Sequence, residues 1–306
     1  MSLINRAQFS DLFFSTKLPA LREVIFEKFG MHDPKGPQIF NVINTDRDIE
    51  QTTSISSLGN MIETGEGAPV TYEALDQGFD KTYNMVKYTL GVKISREALE
   101  DDERNVMRRV GSAIPRSATH TMETILANHF NNGFDSSFAG PDGKELFATD
   151  HPLESGGTQS NELATPADLT ITSLNQALTD FRDFRDGKNK RLNIRPRFLV
   201  VPPALEAQAL QLLNSTLLPG GDQNDINPIP SRSNLQLIVW DFLTDADAWF
   251  LVGDKSDHEL RMYMREAFNL QEDIDFDHDA LKIKGVMRWD SDWSDYRAVY
   301  GTPGAA

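Results

Sequence analysis

The sequence has no cysteine in its 306 residues. That removes disulfides, thiolate zinc sites and thiol nucleophiles together, and it leaves the redox compartment unread. No run of about eighteen apolar residues occurs, so no helical segment is expected to span a bilayer, and no membrane partner is expected. The start, MSLINRAQFSDLFF, lacks the apolar stretch and the small-residue cleavage site of a secretory signal, which favours the cytoplasm of the cell that makes the chain. Positive charge is scarce. Thirty Lys and Arg stand against 46 Asp and Glu, for a net charge of −16. The longest basic run is KNKR, Lys188 to Arg191, and reads as a solvated loop. Phosphate backbones are bound by clustered Lys and Arg, so direct nucleic-acid binding is disfavoured. A surface that lies near nucleic acid without sticking to it remains compatible with this balance. G-x-S-x-G, H-E-x-x-H and Walker sequences are missing, and there is no internal repeat.

What is present is an ordinary globular composition, 39% hydrophobic and 25% charged. The length allows one large or two medium domains. Residues 1–30 read as helical, with Leu12, Phe13, Leu18, Leu21, Val24, Ile25 and Phe29 near helical spacing and Pro19 as a break. Residues 44–80 are polar and poorly patterned, which marks a functional or partner-ordered segment. Within them TGEGAPV, with Gly65, Gly67 and Pro69, lacks the third glycine and following helix of a phosphate loop, and reads as a turn. Tyr83 to Ile94 recovers strand character. A long helix is expected from Ser95, with Glu97, Glu100, Asp101 and Asp102 near its positive end. Its apolar face continues through Val106, Val110, Ala113, Ala118, Met122, Ile125, Leu126 and Phe130, with a kink at Pro115 and an end at Asn132 and Gly133. Beyond it, the pattern predicts a helix over Leu174–Phe184 and a buried strand over Arg197–Val201. A second helix follows Pro202 and Pro203, and a loop covers 216–234. Strands are expected at Leu235–Trp240 and Trp249–Val252. Leu260–Arg265 and Leu281–Trp289 should pair with one another in a sheet. Helix and strand mix without regular alternation, so the fold class is α+β.

Several clusters are tested as chemistry. LFATDHP, Leu146 to Pro152, sets Asp150 beside His151. Adjacent residues of extended chain point apart, and Pro152 restricts His151, so a fixed loop corner is a better reading than a catalytic dyad. His120 and His129 fall on opposite faces of a straight helix and cannot share a metal there. EDIDFDHDA places Asp273, Asp275, Asp277 and Asp279 at period two, but His278 and Lys284 stand where a calcium loop needs glycine and glutamate. A strand or turn with one acidic face is expected instead. Asn214-Ser215-Thr216 fits a glycosylation sequon by chance. No catalytic, cofactor-binding or metal-binding residue is assigned, and no cofactor.

Four stretches in order, KYTLGVKISREALEDD (Lys87–Asp102), DGKELFATDHPLESGGTQSN (Asp142–Asn161), PRFLVVPPALEAQALQLL (Pro196–Leu213) and WSDYRAVYGTPGA (Trp293–Ala305), resemble the major capsid (head) proteins of tailed bacteriophages. The second is most similar to the Mu-like major head subunits. The resemblance implies a Hong Kong 97-type fold. Its parts would be an N-terminal arm (1–43), an E-loop (44–94), a spine helix with the first part of a peripheral (P) domain (95–170), an axial (A) domain (171–254), P-domain return strands (255–290) and a C-terminal A-domain tail (291–306). It implies a non-enzymatic virion protein, made in the host bacterial cytoplasm. Copies would assemble as hexamers and pentamers into an icosahedral or prolate head that encloses double-stranded DNA without sequence-specific binding.

Portal, scaffold or decoration proteins would be the other partners. Leu146 and Phe147 would pack on the spine, Asp150 and His151 would be turn residues or subunit contacts, and His151→Ala would at most disturb assembly. Some members crosslink through a loop lysine, which puts Lys81, Lys87 and Lys93 in view, although non-covalent assembly is the commoner state. The recognisable fold starts too near residue 1 to leave room for a large N-terminal scaffold segment. An acidic inner wall would repel DNA and let it slide. Two alternatives stand beside this reading: an encapsulin-like nanocompartment shell, and a soluble hydrolase using His151 or the Asp273–Asp279 cluster.

Overall fold

A computed structural model describes residues 34–305 except 56, 57, 71, 74–76, 96, 98–105, 154, 155, 218–225, 233 and 276, and leaves the side chains of 106–112 undescribed. The expected N-terminal helices, the acidic start of the long helix beyond Glu97 and much of the 216–234 loop therefore lie outside the described residues.

The described chain opens with one turn of helix, α1 (Gly36–Ile39), and a short strand, β1 (Asn41–Asn44). A hairpin follows, β2 (Ile49–Ile55) and β3 (Gln77–Asn84), paired antiparallel from Ile49–Asn84 to Ile55–Gln77. The strand signal over Tyr83–Ile94 turns out to be split at Met85. β3 ends the hairpin, and β4 (Val86–Ser95) leaves it to pair with β11 (Ala280–Trp293). The expected helix start near Ser95 falls where β4 ends: Ser95 is the last strand residue, opposite Ala280, Glu97 is helical, and residues 98–105 lie outside the described residues.

β10 (Leu260–Asp275) and β11 form a long antiparallel ribbon that completes the first sheet, in the order β1-β10-β11-β4. Both strands run further than the spacing predicted. Leu270, Leu281, Ile283 and Met287 keep burying one face, and register shifts after Met264 and Glu266 absorb the twist. The long helix, α2 (Val106–Asn131), lies on this sheet with Pro115 inside it. Its face carries Ile114, Met122, Leu126 and Phe130 in the core, whereas Ala113 is exposed. Helix and sheet approach closely at Gly285, where a Cβ would meet Phe268 Cε2 at 2.7 Å and Ile114 Cγ2 at 2.9 Å.

The second sheet has the order β12-β9-β7-β8, built from β7 (Phe198–Val201), β8 (Gln236–Val239), β9 (Trp249–Val252) and β12 (Val299–Thr302). β7, β9 and β12 are buried along their whole length, as expected of a strand with both faces covered. Helices α3 (Ile171–Asp180), α4 (Glu206–Asn214) and the short α5 (Ile229–Arg232) accompany it. A reciprocal cap starts α3: Thr170 Oγ1 accepts the Ser173 amide at 3.1 Å, and Ser173 Oγ accepts the Thr170 amide at 2.9 Å.

Glu123 on α2 joins the parts. Its buried carboxylate accepts the Gly36 amide at 3.0 Å and the Trp240 Nε1–H at 2.6 Å, so one side chain ties α1, the long helix and the end of β8. Burial raises its carboxyl above the ordinary value, opposed by those donors.

Candidate functional site

The loop after α2 builds the corner that LFATDHP marks. Phe147 enters the core at the end of the long helix. Its amide donates to Gly133 O at 2.8 Å, and its ring centroid lies 4.9 Å from that of Phe134 and 5.1 Å from that of Phe250. Four residues on, His151 opens a two-residue strand, β5 (His151–Pro152), paired with β6 (Thr158–Gln159).

His151 is fully buried, and its acid is not its neighbour. Nδ1 lies 2.6 Å from Asp142 Oδ2, and Nε2 lies 3.2 Å from Asn161 Oδ1. Asn161 is oriented by three further bonds. Its Nδ2 donates to Leu146 O at 2.7 Å and to Val299 O at 3.2 Å, and its Oδ1 accepts the Ala148 amide at 2.9 Å. Both imidazole nitrogens thus face oxygen acceptors of its own chain. The ring stacks on Tyr296 at 3.8 Å between centroids, 5° from parallel. Burial pushes the Tyr296 phenol up to about 12, so it stays neutral in this stack. Asp150 points away, exposed, to Lys144 Nζ at 2.5 Å. Of the residues that complete the corner, Asp142 and Asn161 bound the second of the four quoted stretches and Tyr296 lies in the fourth, but spacing alone does not pair any of them with His151.

This geometry corrects the expectation that His151 is a turn residue or subunit contact: the ring is sealed inside its own chain. It also leaves no open face for a substrate. The corner ties the 140s loop to the C-terminal strand, which is a structural task.

The other candidates stay apart. His120 is exposed and meets the Phe242 ring edge at 5.1 Å, while His129 Nε2 lies 3.0 Å from Ser291 Oγ. Asp275 accepts from Lys93 at 2.8 Å and from Lys282 and His278 at 3.0 Å, and these donors hold its carboxyl well below the usual range. Asp273, Asp277 and Asp279 are exposed around it. Among the described residues no group of three or more His, Asp and Glu side chains is placed to hold a metal ion. TGEGAPV is a turn closed by Ala68 N–H to Gly65 O at 3.1 Å. The KNKR loop is largely paired: Lys190 reaches Asp186 and Leu58 O, and Arg191 reaches Asp183 at 2.8 Å. Lys81 pairs with Asp292, and Lys87 is exposed on β4.

What remains is a surface. The segment between β2 and β3 carries Leu58, Met61, Ile62, Val70 and Tyr72 in the open, with Met61 and Tyr72 close to fully exposed. Exposed apolar side chains on a hairpin segment suit contact with another molecule.

A long ribbon, a long helix across it, a second small sheet and the β2–β3 hairpin define the Hong Kong 97-type shell fold. The chain superposes on the Cyanophage P-SCSP1u capsid with a TM-score of 0.59, at 11% identity, over 87% of this chain and 86% of that one. It superposes on a Microbacterium phage Oxtober96 chain with a TM-score of 0.56, at 10% identity, over 98% of this chain and 99% of that one. The family model described as "Phage capsid protein" matches residues 78–302, and the chain belongs to that family. It is also 36% identical over 81 residues to the major capsid protein of Escherichia phage Mu, a match that spans 26% of each chain.

Proposed function

We propose that this chain is a major capsid protein, whose copies assemble into the head shell around the double-stranded DNA of a tailed phage or prophage. The observation that carries the reading is the family match over residues 78–302, on a fold whose hairpin presents bare apolar side chains. In this reading 1–43 is the arm, 44–94 the E-loop, 95–170 the spine helix and first P-domain part, 171–254 the A domain, 255–290 the P-domain return and 291–306 the tail. In this reading the loop proper is the β2–β3 hairpin and β4 goes with the P-domain strands, a division supported by the pairing of β4 with β11.

The protein works by packing, with no catalytic step. It resides in the virion, is made in the host cytoplasm, and meets portal, scaffold or decoration proteins. Assembly is non-covalent, consistent with Lys81 and Lys93 being held in ion pairs. The net charge of −16 suits a wall along which DNA slides.

Negative-stain electron microscopy of the purified protein, with light scattering on the same sample, tests this. Shells, tubes or rings are expected. A small species that stays small across salt and concentration would overturn the reading, and shells loaded with an enzyme instead of DNA would move it to a nanocompartment.

A further inference from the structure

The second sheet carries opposite charge at its two ends. β7 and β8 are parallel, and β9 runs antiparallel to β7. The starts of β7 and β8 therefore meet the end of β9 at one edge, while the end of β8 and the start of β9 meet at the other.

At the first end lies a cleft of about 620 Å3, lined by Arg182, Arg195, Arg197, Arg232, Asp254 and Asp257 among others. Arg197 is paired with Asp254. Arg232 is held by neutral partners, Asn175 Oδ1 at 3.0 Å and Thr179 Oγ1 at 2.8 Å. Arg182 and Arg195 are exposed and have no acidic partner among the described residues. The cleft is thus electropositive on a strongly acidic chain.

At the second end, the turn from β8 to β9 presents Asp241, Asp245 and Asp247, all exposed and without a basic partner among the described residues. This turn is fixed. Asn131, the last residue of α2, donates to Phe242 O at 3.0 Å and accepts the Thr244 amide at 3.0 Å. Asp245 Oδ1 accepts the Asp247 amide at 3.0 Å.

We propose that the arginine cleft of one copy receives the Asp241–Asp247 turn of the next copy, head to tail. Two different patches on one subunit make a heterologous contact, which closes into a ring when the rotation allows. Copies of net charge −16 repel one another over most of their surface, so a neighbour is met best through the basic cleft. Complementary charge then fixes register and speeds encounter. The proposal rests on the shell-subunit reading and names the contact that builds its rings.

Two charge-reversed variants test it, Arg182→Glu/Arg195→Glu and Asp241→Lys/Asp247→Lys. Asp245 is left alone because its carboxylate caps the turn. All four positions are exposed, so the unfolding midpoint of each variant should match wild type. At low salt each variant alone should lose ring formation, read by native mass spectrometry. Mixed one to one, each reversed patch meets its opposite, and rings should return with alternating members, in even numbers only. Either variant assembling like wild type would overturn the proposal, as would two folded variants that stay unassembled when mixed. A wild type that never assembles would instead sink the shell reading, and the contact with it.

Discussion

Replacing His151 with alanine should unfold this protein more readily, and the size of the effect follows from the corner it fills. The His151 and Asp142 side chains are 0% and 4% exposed and meet at 2.6 Å. Removing the ring leaves a buried carboxylate whose other bond in this corner is the Lys144 amide at 3.2 Å to Oδ1. It also removes the stack on Tyr296 and the bond to Asn161. Breaking one side of a buried pair costs about 3–5 kcal/mol. Guanidinium unfolding of unassembled subunits, followed by tryptophan fluorescence, reads it directly. Asp142→Ala should cost a similar amount, and the double variant should cost less than the sum by about 2 kcal/mol, since the stranded partner is gone. Asp150→Ala, next door in sequence but exposed, should leave the midpoint unmoved. The reasoning is refuted if His151→Ala behaves like Asp150→Ala, or if the double variant costs the full sum.

Other consequences follow from the same packing. His258 is buried, its Nδ1 accepts the Leu260 amide at 3.2 Å, and burial lowers its pKa from 6.5 to about 4. A depressed histidine stabilises the fold above its unfolded pKa, so about 3 kcal/mol should be lost as pH falls from 6.5 through 4, and His258→Gln should flatten that slope in pH-dependent denaturation. Gly140→Ala would drive a methyl into the buried Trp293 indole and should cost about 1–3 kcal/mol in the same assay. Met61→Ser with Tyr72→Ser, both on the open hairpin, should leave the unfolding midpoint in place and cut shell yield in light scattering; unchanged yield would remove the hairpin from the assembly contact.

The sequence by itself determined the class of protein. Local pattern sufficed for the buried strand Phe198–Val201, for the Pro-Pro entry to α4 and for the end of α2 at Asn131, because each depends on a few neighbouring residues. The resemblance over four ordered stretches supplied the Hong Kong 97-type fold, and the family match over residues 78–302 takes in nearly all of them. Pattern alone missed the split at Met85 and the true length of the ribbon, since a strand's partner and register are set by residues far along the chain.

The same reason governs the corner at LFATDHP. Sequence adjacency offered Asp150 to His151, and rightly suggested a fixed corner over a catalytic dyad. Only the tertiary structure replaced Asp150 with Asp142, Asn161 and Tyr296, because burial and hydrogen-bond geometry, not spacing, choose a buried ring's partners. The basic cleft and the acidic turn show it again: their charges were scattered through a sequence of uniform acidity, and the order of four short strands set them at opposite ends of one sheet.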